Sequence, residues 1–371
     1  MLKQTAKLFC ISGRKEGAMR LKIGSLLTGL TLLSSILASH APAQEARRLG
    51  LNVTLRTYEE ELKCLSELGV GAIRVPLQWQ FLKIRPGEYD WSDVDRLLRE
   101  AQAKQVEVLF TVCTTFQEKL KKFGPERHIR RGSIQVNTPS MDMKEWVHFV
   151  EILANRYQGQ GANYEIESEV NETASWKGTR EEYLELLRAG YEAIKKADPK
   201  ARVLASALGC GITRNLQLGS GSKSAWRWHD VWLQAILATK QFDAVSVHDY
   251  YFPSEINANG LTFRSYLEHI HGVMEKSGLG NFPIWITETG FVSLSAEAGG
   301  RMDNGSPEIQ AKWLTEAYRQ AFEWGVERIY WSLVRDSKKP YFGSMGLTDA
   351  KGDRRPAWSA LARLGMGMDR K

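Results

Sequence analysis

Residues 72–79 read AIRVPLQW and residues 106–113 read VEVLFTVC, two short apolar runs of the kind that form buried strands. Between them, Ser92–Lys104 carries apolar residues at helical spacing. Two strands joined by a helix form the unit from which parallel sheets are built. This stretch therefore predicts an α/β fold with a parallel sheet.

The same alternation extends to both ends of the chain. The predicted strands are Arg48–Thr54, Ala72–Trp79, Val106–Cys113, Asn163–Val170, Arg202–Leu208, Phe242–Tyr250, Pro283–Thr289 and Arg328–Val334. Predicted helices include Thr57–Leu68, Ser92–Lys104, Met143–Tyr157, Arg180–Ala197 and Pro356–Leu364. Eight strand–helix units make one (β/α)8 barrel, whereas a doubly wound fold would have a Gly-rich turn after its first strand, which LNVTLRT (51–57) lacks. We therefore predict an α/β protein with a single (β/α)8 TIM barrel in residues 44–371.

The first 43 residues have the pattern of a secretory signal peptide. Arg20 and Lys22 precede the apolar run Ile23–Ala38, and Ala41-Pro42-Ala43 resembles a cleavage site. The run is short for a membrane span. We expect a secreted or periplasmic protein with no stable membrane span after cleavage. An uncleaved anchor is the alternative, and Met19 is an alternative start.

Composition and charge exclude several classes of protein. The 371 residues are 43% apolar and 25% charged, which excludes a disordered chain, a collagen-like fibre and a small disulfide scaffold. Cleavage after Ala43 would remove six basic residues and one acidic residue and lower the formal charge from +7 to +2, so no nucleic-acid partner is expected.

Cysteine and histidine spacing predicts neither a metal nor a cofactor. Cleavage would leave Cys64, Cys113 and Cys210, an odd number, and no Cys-x-x-Cys pair occurs. No His-Glu-x-x-His occurs among the seven histidines.

Acidic side chains stand near the ends of the fourth and seventh predicted strands, where barrel enzymes place their reactive groups. The seventh strand, PIWITETG (283–290), carries Glu288. The fourth, YEIESEVNE (164–172), offers several glutamates, and position alone does not choose among them. These two strands lie roughly opposite each other in an eight-stranded ring. A carboxyl pair facing across the barrel mouth is what glycosidic cleavage needs.

Other strands add polar and aromatic candidates. Arg74 can hold a carboxylate ionised through paired hydrogen bonds. His248 and Tyr250 end the sixth strand. Trp331 on the eighth strand and Trp176 in the loop after the fourth offer flat rings on which a sugar can stack.

In order along the chain, these segments resemble clan A glycoside hydrolases, with family 39-like or family 5-like members the most similar. The resemblance spans Leu51 to Leu364 and is carried by Ile73-Arg74-Val75, Pro86-Gly87-Glu88-Tyr89-Asp90-Trp91, Tyr164-Glu165-Ile166, Ser246-Val247-His248-Asp249-Tyr250 and Ile286-Thr287-Glu288-Thr289-Gly290. It implies that Glu288 is the nucleophile and that Glu169 is the acid/base. Arg74 would support Glu288, Tyr250 would orient it, and His248 and Trp331 would line the sugar site.

The chain departs from the family motif Trp-Asn-Glu-Pro around Glu169. Glu167, Ser168 and Val170 replace the Trp, Asn and Pro. In the family this asparagine donates to the sugar 2-hydroxyl, whereas the shorter Ser168 hydroxyl donates only one proton. Ser168 is therefore a substrate-binding candidate, and its presence predicts one of three things: a substrate that is unusual at that carbon, a neighbouring residue that supplies the contact, or low activity.

The predicted function is retaining hydrolysis of O-glycosidic bonds in a polysaccharide or oligosaccharide. The alternatives are a catalytically degenerate carbohydrate-binding barrel and a transglycosylase. Six basic residues in Gln117–Arg131 suggest an acidic substrate, and the alternative is an ordinary solvated loop.

Overall fold

The computed structural model describes residues 48–368, except 86, 115–142, 174, 210–222, 252–262, 295, 299–300, 304 and 338–340. The expected signal peptide, the basic loop Gln117–Arg131 and Cys210 lie outside the described residues. Cys64 is a free thiol, and Cys113 is buried. Within the described residues, no helix is both long enough and apolar enough to cross a membrane.

Eight strands form one parallel sheet that curls into a barrel. They are β1 (Leu49–Asn52), β2 (Ala72–Gln78), β3 (Glu107–Cys113), β4 (Ala162–Ile166), β5 (Val203–Ala205), β6 (Val245–Tyr251), β7 (Ile284–Phe291) and β8 (Val326–Trp331). Their order is β5-β4-β3-β2-β1-β8-β7-β6, with parallel pairing throughout. Two parallel bridges, Leu204–Ala244 and Leu208–Val247, join β5 to β6. The predicted (β/α)8 barrel is therefore confirmed.

A helix follows each strand. The helices are α1 (Tyr58–Leu68), α2 (Ser92–Ala103), α3 (Met143–Arg156), α4 (Arg180–Ala197), α5 (Lys223–Thr239), α6 (Phe263–Lys276), α7 (Pro307–Glu323) and α8 (Pro356–Gly365). The loops also contain a short helix (Trp79–Leu82), a 3-10 helix (Tyr341–Met345) and two small hairpins, Lys83–Arg85 with Glu88–Tyr89 and Ala296–Ala298 with Arg301–Asp303.

The two faces of the sheet bury different side chains. On β2, Ile73, Val75 and Leu77 join the main apolar core, to which all eight helices also contribute residues. A smaller cluster consists of Ala72, Leu109, Leu204, Ala244, Trp285 and Tyr330. Strand residues alternate between faces, so this smaller cluster lies on the face opposite Ile73, inside the barrel. Arg74, two residues beyond Ala72, shares that inner face.

The predicted fourth strand, Asn163–Val170, is wrong in its second half. Strand β4 ends at Ile166, and Glu167 and Glu169 take left-handed backbone conformations with φ of 68° and 53°. The alternation that would place Glu165, Glu167 and Glu169 on one face therefore stops after Glu165.

We expect Gly50→Ala to destabilise the barrel. A Cβ at Gly50 in β1 would lie 2.1 Å from Tyr330 Cδ1 in the interior, so the packed ring would have to move. Overpacking of this kind costs about 1–3 kcal/mol, measurable as a lower free energy of unfolding in urea. Gly272→Ala in α6 is the matched control, because no atom lies within 4 Å of its Cβ and alanine favours a helix by about 0.5–1 kcal/mol. Equal stability of the two variants would contradict the close packing at Gly50.

Candidate active site

Arg74 lies inside the barrel and contacts two carboxylates. Its Nε and Nη2 are both 2.7 Å from Glu165 Oε2, and its Nη1 donates to Glu288 Oε1 at 2.6 Å. Nη1 also donates to Asn52 Oδ1 at 2.9 Å. Burial alone would lower the pKa of Arg74, but the charges of Glu165 and Glu288 outweigh burial and raise it. The guanidinium is therefore a fixed positive charge between β4 and β7.

Glu165 is fully buried beside this guanidinium, and hydroxyl groups complete its surroundings. Thr111 Oγ1 donates to Oε2 at 2.8 Å, and Thr287 Oγ1 donates to Oε1 at 3.0 Å. Both carboxylate oxygens therefore accept hydrogen bonds, as a buried ion pair requires to offset its desolvation. Arg74 bridges Glu165 and Glu288, so Glu165 acts on Glu288 by holding this guanidinium in place.

Glu288 of β7 receives donors on both oxygens. Arg74 binds Oε1, and the Tyr250 hydroxyl donates to Oε2 at 2.5 Å. His248 Nδ1 is 3.7 Å from Oε2. Burial alone would raise the pKa of Glu288, but His248, Arg74 and the Tyr250 hydrogen bond together lower it to about 2. Glu288 is therefore an ionised carboxylate at neutral pH.

His248 lies between the two candidate catalytic glutamates. Its Nδ1 is 3.0 Å from Glu169 Oε1, and its side chain is almost fully buried. Burial alone would lower the pKa of His248, but the charges of Glu288 and Glu169 outweigh it and the pKa is raised. A carboxylate oxygen of Glu169 and one of Glu288 lie within 4.8 Å of each other.

Glu169 reaches this position from the turn after β4. Its backbone N–H donates to Ala207 O at 2.8 Å, which fixes the turn against the segment after β5. Its side chain is 30% exposed, so it faces an accessible part of the barrel mouth. Ser175 Oγ lies 3.4 Å from its second oxygen, Oε2.

Ser168 lies beside the nucleophile candidate. Its Oγ accepts from Arg74 Nη2 at 3.3 Å, and the same guanidinium binds Glu288. Because the lone pair of Ser168 faces Arg74, its single proton is available to another acceptor. Ser168 therefore remains a substrate-binding candidate.

The two tryptophans do not offer surfaces for a sugar. Trp331 is fully buried, packs against Trp313 of α7 at 6.2 Å between ring centroids, and donates to Met345 O. Like Ile329, it points from β8 towards the helices, whereas Tyr330 between them points into the barrel. The prediction of Trp331 as a surface for sugar stacking is therefore wrong. Trp176 is 2% exposed and donates to Thr179 O at the start of α4, which indicates a packing role.

Sequence reasoning missed several polar groups of the site, namely Asn52, Thr111, Thr287 and Ser332. The first three surround Arg74 and Glu165, and Ser332 Oγ is 2.7 Å from the Tyr250 hydroxyl. A usable signal existed for Thr111, because it is an isolated polar residue between the apolar neighbours Phe110 and Val112. Such residues on the inner parity of a barrel are candidates for buried hydrogen bonds.

One group of side chains in the described ranges could offer three ligands to a metal ion. Glu169, His248 and Glu288 place one ligand atom each within 4.8 Å of one another. A raised histidine pKa favours a proton over a metal there, since a metal ligand must be deprotonated. The chain has one His-x-His spacing, His269-Ile270-His271, but on α6 these rings contact different partners, Asp230 and Trp324 O.

The comparisons with known proteins support the fold class. The structure is similar to a family 39 glycoside hydrolase from Bacteroides cellulosilyticus WH2, with a TM-score of 0.61 and 15% identity over 88% of this chain and 65% of that chain. It is also similar to a family 39 β-xylosidase from Caulobacter crescentus, with a TM-score of 0.59 and 18% identity over 85% and 70% of the two chains. A third is a family 5 (GH5_18) protein from Bifidobacterium longum subsp. infantis, with a TM-score of 0.59 and 14% identity over 86% and 79%.

The expected clan A barrel is therefore confirmed at the level of fold, since its structural neighbours include family 39 and family 5 glycoside hydrolases. No protein-family model matches the sequence, and no curated protein matches it. This chain spans 65% of the length of the Bacteroides protein.

We expect Arg74→Met to lower the free energy of unfolding by about 3–5 kcal/mol, because it leaves Glu165 charged, buried and without its cation. Urea unfolding at neutral pH measures the loss. Adding Glu165→Gln should recover part of it, because the double variant no longer buries that charge. A double variant no more stable than Arg74→Met would contradict the ion pair.

We expect Tyr250→Phe to raise the pKa of Glu288 from about 2 by about one to two units, because a hydrogen bond to a charged group contributes about 1.5–3 kcal/mol. Carbon-13 NMR titration of the glutamate carboxyls measures the shift, and Glu288→Gln identifies the signal. Tyr164→Phe is the control, since that buried hydroxyl has no hydrogen-bond partner within the described residues.

The lowered pKa of Glu288 also makes the stability of the fold depend on pH. A carboxyl pKa lowered from 4.5 to about 2 stabilises the fold fully above pH 4.5 and loses that contribution as the pH falls towards 2. In Tyr250→Phe the loss should still begin near pH 4.5, but it should be smaller and should be complete at a higher pH, because the pKa of Glu288 in the folded protein is raised. An unchanged Glu288 midpoint would contradict the hydrogen bond.

Proposed function

We propose that this protein is a secreted glycoside hydrolase that cleaves O-glycosidic bonds with retention of anomeric configuration. The observation that carries the proposal is the pairing of Glu169 and Glu288 across His248, with carboxylate oxygens within 4.8 Å. Retaining enzymes hold their two carboxyl groups about 5–5.5 Å apart, whereas inverting enzymes leave about 6.5–9.5 Å for a water. The short separation supports retention.

In the first step, Glu288 Oε2 or Oε1 attacks the anomeric carbon and the glycosidic C–O bond breaks. Glu169 gives its proton to the departing oxygen, so that the leaving group departs as a neutral alcohol. Arg74 and Tyr250 hold Glu288 ionised and fixed before the attack. The products of this step are a glycosyl–enzyme ester and an ionised Glu169.

In the second step, a water attacks the anomeric carbon of the ester, and Glu169 accepts its proton. Glu288 leaves as a carboxylate, and both glutamates return to their starting states. His248 contacts both carboxyl groups and therefore balances the negative charge, which moves from Glu288 to Glu169 and back. If a second sugar hydroxyl replaces the water, the same site is a transglycosylase.

Two finer parts of the proposal rest on sequence. Export rests on the signal-peptide pattern of residues 1–43, and an acidic substrate rests on the basic residues of Gln117–Arg131. Binding to an acidic and a neutral polysaccharide at two salt concentrations tests the latter. Equal, salt-insensitive binding to both would contradict it.

We expect a panel of polysaccharides and aryl glycosides to yield new reducing ends with the wild-type protein. Glu288→Gln should lose activity on every substrate, because no nucleophile remains. Glu169→Gln should lower kcat/KM, which reports the first step, by about 10²–10⁴-fold on substrates whose leaving group needs a proton, and much less on dinitrophenyl glycosides. Glu192→Gln, on the exposed face of α4, is the matched control.

Proton NMR of the first product distinguishes retention from inversion, and added acceptor sugars reveal transglycosylation. Glycan binding without turnover would instead support the carbohydrate-binding alternative. Inversion, or full activity of Glu288→Gln, would contradict the proposed mechanism.

A further inference from the structure

The turn that carries Glu169 has an unusual backbone. Glu167 and Glu169 both have positive φ, at 68° and 53°, on either side of Ser168. Side-chain-bearing residues seldom adopt this conformation, because Cβ approaches the backbone too closely. Two such residues within three positions persist only where the surrounding structure holds them.

Hydrogen bonds from both neighbouring strands hold this turn. The Glu167 N–H donates to Val112 O at 3.1 Å, and the Glu169 N–H donates to Ala207 O at 2.8 Å. These two hydrogen bonds join backbone groups. A third involves a side chain, because Glu167 Oε1 accepts from the Thr114 N–H at 2.6 Å. Both Glu167 and Thr114 are fully buried. A hydrogen bond in such a place is costly to break, because water cannot replace either partner.

Glu167 therefore differs in task from Glu165, although both are buried glutamates at the end of β4. Glu165 binds Arg74 and acts towards Glu288. Glu167 binds the backbone just beyond β3 and lies two residues from Glu169. The family motif has a tryptophan at this position, so the contact is a property of this chain.

We propose that Glu167 is a positioning residue for Glu169. Its buried carboxylate ties the left-handed turn to the Thr114 N–H, and the turn then keeps the Glu169 carboxyl within reach of His248 and of the leaving-group oxygen. This inference rests on the proposed function in assigning proton transfer to Glu169. The role requires an acceptor oxygen and does not require a contact with substrate.

The test compares Glu167→Leu, which fills the site without an acceptor, with Glu167→Gln, which keeps one. Two glycosides of the same sugar are used, with phenol and dinitrophenol as leaving groups. We expect Glu167→Leu to lower kcat/KM for the phenyl glycoside by at least about tenfold, since a displaced acid loses part of a contribution of about 10²–10⁴-fold. On the dinitrophenyl glycoside the glycosylation rate should stay within about threefold, because that leaving group needs little protonation. Glu167→Gln should resemble wild type on both.

Three kinetic results would overturn the inference. They are an equal loss on both glycosides, which a general structural defect would cause, no loss in Glu167→Leu, and an equal loss in Glu167→Gln and Glu167→Leu. Glu165→Gln is the matched variant for the nucleophile side, and it should slow both glycosides alike.

Amide hydrogen exchange separates this inference from the proposed function, because it needs no substrate. The Thr114 and Glu169 amides should exchange at least about tenfold faster in Glu167→Leu than in wild type, since their hydrogen-bonded turn opens more often. Unchanged exchange of both amides overturns the inference even if the protein cleaves no glycoside. If the wild-type protein cleaves no glycoside but exchange is faster in Glu167→Leu, the proposed function is refuted. The role of Glu167 in holding the turn would then still stand.

Discussion

The guanidinium of Arg74 joins the two halves of the site inside the barrel. It contacts Glu165 at the end of β4 and Glu288 on β7, and it lies one inner-facing residue beyond Ala72 in the apolar interior cluster. A charge in that place is costly to desolvate, so it is stable only while both carboxylates remain. The Thr111 hydroxyl donates to the Glu165 oxygen that Arg74 also binds, and the Thr287 hydroxyl donates to the other oxygen. Glu288 is therefore held in place because the buried charge of Arg74 needs its carboxylate as well as that of Glu165.

From this cation the site continues as a row of ionisable side chains. Glu165, Arg74, Glu288, His248 and Glu169 follow one another, with contacts of 2.7, 2.6, 3.7 and 3.0 Å. Glu288 lies between Arg74 and His248, whereas Glu169 is at the end of the row, where it is 30% exposed. Two glutamates in one site thereby receive different surroundings. That difference is what a nucleophile and a proton donor need in order to divide their tasks.

Hydrophobic periodicity was sufficient to predict the barrel, because it records which residues each strand buries. Strand ends were harder to predict. The period of two in YEIESEVNE continues through Glu169, but the chain leaves the sheet at Ile166. Trp331 was misassigned because a residue's face is fixed by register with its neighbours, which the sequence of one strand does not contain. Arg74, His248 and Tyr250 were located because each continues the inner parity of its strand, whereas Glu288 directly follows the inner-facing Thr287 and reaches the site at a register shift between β6 and β7.

The departures from the family motif all lie on one side of the site. The segments around Arg74, His248, Tyr250 and Glu288 retain the residues that carry the resemblance, and the structure brings these four side chains into contact. Around Glu169, three neighbours differ, and the turn depends on hydrogen bonds from β3 and the segment after β5. Under the proposed function, the residues around the nucleophile Glu288 thus match the family motif, whereas the residues around the proton donor Glu169 differ from it. Under this proposal, leaving-group chemistry, more than attack on the sugar, is therefore where this barrel should differ from the family that it resembles.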